Sequence, residues 1–237
     1  MTYRELSAQA LAEKDYKAFL EELYRSLTDG RKDPNEVVRD TLFEIYSTAS
    51  GQGRSPTEMD NLSLPAKVVL HSLDPRNITT EPEYYADIDA KLYAERKPFI
   101  WLWQMFDRSP LGQNALLSHR FRRMLAPLIF RRVGENFKCW HFVEWSFGYN
   151  LSFGDNVVVH RHVLLDDRGG IEIGKQRDAF RAFMIARHLR PSEWARAAGV
   201  PSGEILGFLT GKTRSIAPQT LEKLAKAVNC TPQEFFR

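Results

Sequence analysis

A chain of 237 residues, 43% of them apolar, can hold one large domain or two modest ones with cores of their own. Its net charge of +3 conceals an asymmetry: residues 1–176 carry 23 Lys and Arg against 25 Asp and Glu, about −2, while residues 177–237 carry 10 against 5, about +5. Three classes are excluded. Cys139 and Cys230 lack the spacing of a zinc site, so no metal is expected and both read as reduced thiols. The most apolar stretch, Phe99–Phe106, is too short to span a bilayer, and the start MTYRELSAQALAEKDY has no apolar core of a signal peptide, so the expectation is a cytoplasmic, soluble protein without membrane contact.

From Leu6 to Leu27 the residues Leu11, Phe19, Leu20, Leu23 and Tyr24 recur at steps of three and four, which predicts an amphipathic helix. A second helix is expected over Pro34–Ser47, with proline at a first helical position and Val37, Val38, Leu42, Ile45 and Tyr46 on one face. Thr48–Asp60 and Asp74–Pro82 read as turn-rich connections. Aromatics and arginines then concentrate in KPFIWLWQMFDRSPLGQN and FRRMLAPLIFRR. A membrane-surface reading of Phe121–Arg132, where Arg122, Arg123, Arg131 and Arg132 flank an apolar run, yields to a core helix: Pro127 should interrupt it, and arginine stems flank ordinary core helices too.

Between Phe137 and Gln176 the period turns strand-like. FGDNVV (Phe153–Val158) and VHRHVL (Val159–Leu164) stand six residues apart in phase, and IGKQ (Ile173–Gln176) opens a third such unit, the rhythm of a β-solenoid. His160 and His162, two apart and so on one face of a strand, are the remaining candidates for a catalytic base; polar residues on the outer face of a coil fit them better. Asp166 and Asp167 with Arg168, Gly169 and Gly170 read as a corner loop. Fewer than two repeats would leave an open, association-prone edge unless the tail covers it.

The string NLSFGDNVVVHRHVLLDDRGGIEIG resembles the first coil of the hexapeptide-repeat acyltransferases, left-handed β-helix enzymes of the sugar O-acetyltransferase type, and the similarity extends back to about residue 60. It implies acetyl transfer from acetyl-CoA to a hydroxyl through a histidine base, with subunits that trimerise. The positions of that histidine and of the CoA site, in later coils, have no counterpart before the pattern gives way at Gln176.

From Arg177 the pattern is crisply helical. Phe180, Phe183 and Met184 make one face; Pro191 opens a second helix with Trp194, Ala195 and Ala198 inward; Gly199 turns the chain; Ile205, Phe208 and Leu209 mark a third helix after Pro201 and Ser202. Leu221, Leu224, Ala225 and Val228 define a fourth, and Thr231 caps a last turn ending in Phe235 and Phe236. The string WARAAGVPSGEILGFLTGKTRSIAPQTLEKLAKAVNCTPQEFF resembles the Xre/Cro-like, lambda-repressor-type helix-turn-helix family. That resemblance implies double-stranded DNA as partner, a dimer on its site, Ser202, Gly203, Glu204 and Gly207 toward the bases, and Lys212 and Arg214 on phosphates. Pro191 and the two glycines depart from the family pattern and leave the third helix poor in base-reading side chains.

The expected architecture is therefore multi-domain α+β: a helical region over 1–136, an incomplete left-handed β-helix over 137–176, and an all-α, five-helix helix-turn-helix domain over 177–237, joined without a linker as in a fusion. The expected function is DNA binding in transcription regulation, with the acyltransferase-like part inactive and no cofactor. The alternative is an acetyltransferase using acetyl-CoA.

Overall fold

The computed structural model describes residues 6–49, 62–213 and 215–236. The connection read over Thr48–Asp60 falls largely outside them, as does Arg214.

Among the described residues five α-helices come first: α1 (Ala10–Thr28), α2 (Pro34–Ala49), α3 (Leu64–Ser72), α4 (Ala90–Arg108) and α5 (Ala115–Ile129). Side chains start three of them. Asp33 Oδ1 accepts from the Asn35 amide at 3.0 Å, Asp89 from the Leu92 amide at 2.9 Å, and Asn114 from the Leu117 amide at 3.2 Å, each satisfying a donor that has no partner inside the helix. Pro127 does not interrupt α5, contrary to expectation. It sits in the last turn, where few residues remain to be kinked, and Arg96 takes up the terminal carbonyls of Leu128 and Ile129 at 3.2 and 2.8 Å. Arg122, one of the arginines that suggested a membrane face, is fully buried. No helix among the described residues is long and apolar enough to cross a membrane.

Seven short strands follow: β1 (Arg132–Val133), β2 (Lys138–Cys139), β3 (Glu144–Trp145), β4 (Leu151–Phe153), β5 (Val158–Val159), β6 (Leu164–Leu165) and β7 (Ile171–Ile173). They form three parallel sheets, β1-β4-β7, β2-β5 and β3-β6, and every partner lies 20 residues on: Arg132 beside Ser152, Lys138 beside Val158, Glu144 beside Leu164, Leu151 beside Ile171. The chain thus winds through two three-sided turns and begins a third. This corrects the expectation of fewer than two repeats: the first turn opens at β1, where two residues give too little alternation to be read.

The turns repeat VGEN, FGDN and IGKQ, which stack Gly134, Gly154 and Gly174. A Cβ on Gly134 would stand 2.4 Å from the Gly154 carbonyl carbon, and one on Gly154 would stand 2.9 Å from that of Gly174, so only glycine lets the corners close. Asn136 and Asn156, next along, both have positive φ and join Nδ2 to Oδ1 at 3.0 Å. In the third turn the corner is replaced: Gly174, itself at φ 83°, leads straight into helix α6 (Lys175–Ala186).

Helices α7 (Pro191–Ala198), α8 (Ser202–Leu209) and α9 (Pro218–Ala227), with a terminal 3₁₀ turn over Pro232–Phe236, complete the chain. Apolar packing divides into two clusters. The larger joins α1, α2, α4 and α5 to the interior of the coil through Trp103, Phe121, Phe130, Phe137, Trp145 and Phe153. The smaller gathers Phe180, Trp194, Ile205, Phe208, Leu224 and Phe235.

Candidate nucleic-acid interface

The turn between α7 and α8 is built by glycine. Gly199 sits at φ 66°, ψ 38°; its amide donates to the Arg196 carbonyl at 3.2 Å and the next amide, of Val200, to the Ala195 carbonyl at 3.0 Å. This pairing closes a helix with a left-handed residue and sends the chain off at an angle. Pro201 then precedes α8, and the buried faces of Ala195, Ile205 and Phe208 lock the two helices together. Behind them Trp194 donates Nε1–H to the Leu224 carbonyl at 3.1 Å and stacks on Phe180, ring centres 5.5 Å apart, which fixes α7 against α6 and α9.

The opposite face of α8 is open. Gly203 is exposed, Ser202 and Glu204 are half-exposed, and no side chain caps this N-terminus. Lys212 is exposed just beyond the helix. Gly207 is placed otherwise than a base contact requires: it is buried, with a Cβ position 3.3 Å from Thr213 Cγ2, and its carbonyl accepts from the Thr213 amide at 3.0 Å. Leu206 takes the outward place one turn on from Gly203, 42% exposed. Sequence reading passed over it, although its offset from the inward Ile205 and Phe208 would have shown it.

The basic residues of this segment divide in two. Lys212, Lys223, Lys226, Arg187, Arg190 and Arg196 are exposed. Arg177 and Arg181 are turned inward: Arg177 Nε donates to the Phe208 carbonyl at 2.7 Å and Arg181 to the Leu209 carbonyl at 3.1 Å, covering the C-terminal end of α8.

His160 and His162 do not share a strand face. Both lie past the end of β5 in a corner, His162 at φ 58°, so the alternation argument fails. Each stacks on the ring 20 residues before it: His160 on Trp140 with centres 5.8 Å apart, His162 on Phe142 at 5.6 Å. Both remain exposed. Asp166 pairs with Arg168, 2.6 Å from its Nη2, which holds the carboxyl well below the usual range. Asp167 is buried and accepts from the Phe147 amide at 2.7 Å and the Asn150 amide at 3.2 Å, fixing the corner. Burial pushes its pKa up. No group of three or more His, Cys, Asp or Glu able to hold a metal ion occurs among the described residues.

Residues 179–237 match the family model of the Cro/C1-type HTH DNA-binding domain. The matched span holds the last two thirds of α6, then α7, α8, α9 and the terminal turn, and it supports DNA binding; it does not extend to the coil. No curated protein and no solved structure matches the chain.

Proposed function

We propose that the chain binds double-stranded DNA through α7 and α8, with the N-terminal end of α8 in the major groove, as a regulator of transcription. The observation that carries this reading is the glycine-closed turn that leaves the first turn of α8 exposed, in a segment matching the Cro/C1-type domain. Ser202, Gly203 and Glu204 then face base edges, Glu204 accepting from a cytosine amino group and Leu206 meeting a thymine methyl. Lys212 and, from the sequence, Arg214 lie on phosphates. Gly207 drops out of the contact set because it is buried. Few side chains are left to read bases, so the binding is dominated by the backbone term and modest in sequence preference.

In this reading residues 177–237 are the DNA-binding domain, the coil from β1 at Arg132 to Ile173 is a short left-handed β-helix of hexapeptide-repeat kind, beginning a few residues before the boundary at 137 expected from sequence, and the helices before it cover its first turn. The six-residue strand rhythm and 20-residue register support that assignment of the coil. The same rhythm is the one observation favouring the second reading, acetyl transfer from acetyl-CoA to a sugar hydroxyl. Against it stand His160 and His162, each stacked on a ring at an exposed corner. Two-fold pairing on DNA suits the first reading, and a trimer through the coil suits the second.

Fluorescence anisotropy of the full-length chain with a mixed-sequence duplex decides between them. Binding at low salt that weakens by orders of magnitude toward physiological salt supports the DNA reading. No binding at low salt overturns it, and calorimetric binding of acetyl-CoA would then favour the second.

A further inference from the structure

The coil and the DNA-binding helices meet without a linker. β7 ends at Ile173, Gly174 turns, and α6 begins at Lys175. A polar network crosses this join. On the coil side stands Asp155, at the corner after β4: its Oδ1 accepts from the Glu135 amide of the turn before at 2.8 Å, and its own amide donates to Asp178 Oδ1 of α6 at 3.1 Å. Asp178 in turn takes Arg132 of β1 at 3.2 Å. The second oxygen of Asp155 accepts from Arg181 Nη1 at 2.7 Å, while Nη2 of the same guanidinium donates to the Leu209 carbonyl at 3.1 Å, at the last residue of α8. One planar fork therefore spans from a coil corner to the end of the helix that faces DNA, and its rigidity fixes both directions at once. Arg177 holds the adjacent Phe208 carbonyl, so α8 is gripped at its C-terminal end while its N-terminal end stays free.

We propose that Asp155 is a positioning residue for DNA binding, acting through Arg181 to hold the C-terminal end of α8 in a fixed direction relative to the coil; this rests on the DNA-binding reading given above. The coil is then part of the DNA-binding device and not a passenger. Asp155 touches no DNA. Its effect has a sign that separates positioning from charge. Removing a carboxylate near a basic DNA-binding surface should, by charge alone, tighten binding to a polyanion. Loss of a positioning contact should weaken it.

The experiment compares full-length wild type, Asp155→Asn, Asp155→Glu and Arg181→Lys by anisotropy on a mixed-sequence duplex about two helical turns long, over a range of salt. Asp155→Asn is expected to bind about three- to tenfold more weakly, with the slope of log affinity against log salt unchanged, because no phosphate contact is lost. Arg181→Lys keeps its charge but cannot hold Asp155 and Leu209 together, and should follow Asp155→Asn. Asp155→Glu keeps the acceptor and should recover part of the loss. Circular dichroism melts show whether each variant is folded, and Arg181→Lys carries the test if Asp155→Asn is not. Unchanged or tighter binding by folded Asp155→Asn, or by Arg181→Lys, overturns the inference while leaving the DNA reading in place. Failure of the wild type to bind duplex at low salt overturns both.

Discussion

The guanidinium of Arg122 and the carboxylate of Asp107 are buried together where α4, α5 and the coil meet. Nε donates to Asp107 Oδ1 at 2.9 Å, the other nitrogens reach the carbonyls of Cys139 and Gly112 at 3.2 Å, and Asp107 Oδ2 accepts from the Phe142 amide at 2.9 Å. Each donor and acceptor of the pair that the fold hides has a partner, which is the condition under which such a pair persists. Arg122→Met should therefore leave Asp107 stranded and cost about 3–5 kcal/mol. Urea unfolding of the transition belonging to the larger core reads this out, and a loss below about 1 kcal/mol would mean that water reaches the pair.

In the smaller core the equivalent test is Trp194→Phe. The ring is largely kept, but the Leu224 carbonyl loses the buried Nε1–H at 3.1 Å. The expected cost is about 1–2 kcal/mol, seen in the transition of the C-terminal helices alone. A shift in the larger core as well would show that the two unfold as one.

Lys212 and Glu204 should separate phosphate contact from base contact. Lys212→Gln is expected to weaken duplex binding uniformly across sequences and lower the salt slope by about 1. Glu204→Gln should leave the slope alone and alter preference at one base pair, by about 1–3 kcal/mol of discrimination. Equal effects of Lys212→Gln on slope and of Glu204→Gln on slope would place α8 elsewhere than in the groove.

His119 makes stability depend on pH. Its Nδ1 lies 3.0 Å from the Cys139 carbonyl, and its ring meets Trp140 edge-on, centres 4.7 Å apart. Burial of this half-buried ring pulls its pKa below the ordinary 6.5, so the unfolded chain binds the proton first. The contribution is full above about pH 6.5 and is lost as pH falls through the lower, folded-state value. Melting temperature should fall between about pH 7 and pH 5, and His119→Gln should flatten part of that fall. The remainder belongs in part to His141, whose pKa burial also lowers. A wild type that falls no faster than the variant would remove His119 from the account.

How much of this could be read from residue order depended on punctuation. α7 and α8 were legible because Pro191, Gly199, Pro201 and Gly211 mark their ends, and α2 because Pro34 follows Asp33. α3 was not: Leu64–Ser72 buries no residue, and Leu64, Val68 and Val69 stay exposed, so no inward stripe betrays a helix. β1 was too short to alternate. Gly207 has no side chain to signal that it points inward. The pairing of Asp155 with Arg181, 26 residues apart, needs the coil to be wound before the two can meet, and nothing in local sequence carries that information.

The stacked glycines and constant register give the coil the properties of a ruler. Duplicating residues 154–173 would add one more turn, repeating the corner that bears Asp155 directly beneath α6. Because parallel strands are spaced about 4.8 Å apart, the DNA-binding helices would be carried outward by about that distance with their hold on the coil renewed. The reach of the DNA-binding end from the helical end is thus quantised in whole turns, and a change of length in this region that is not a whole turn would break the grip on α8 before it changed the reach.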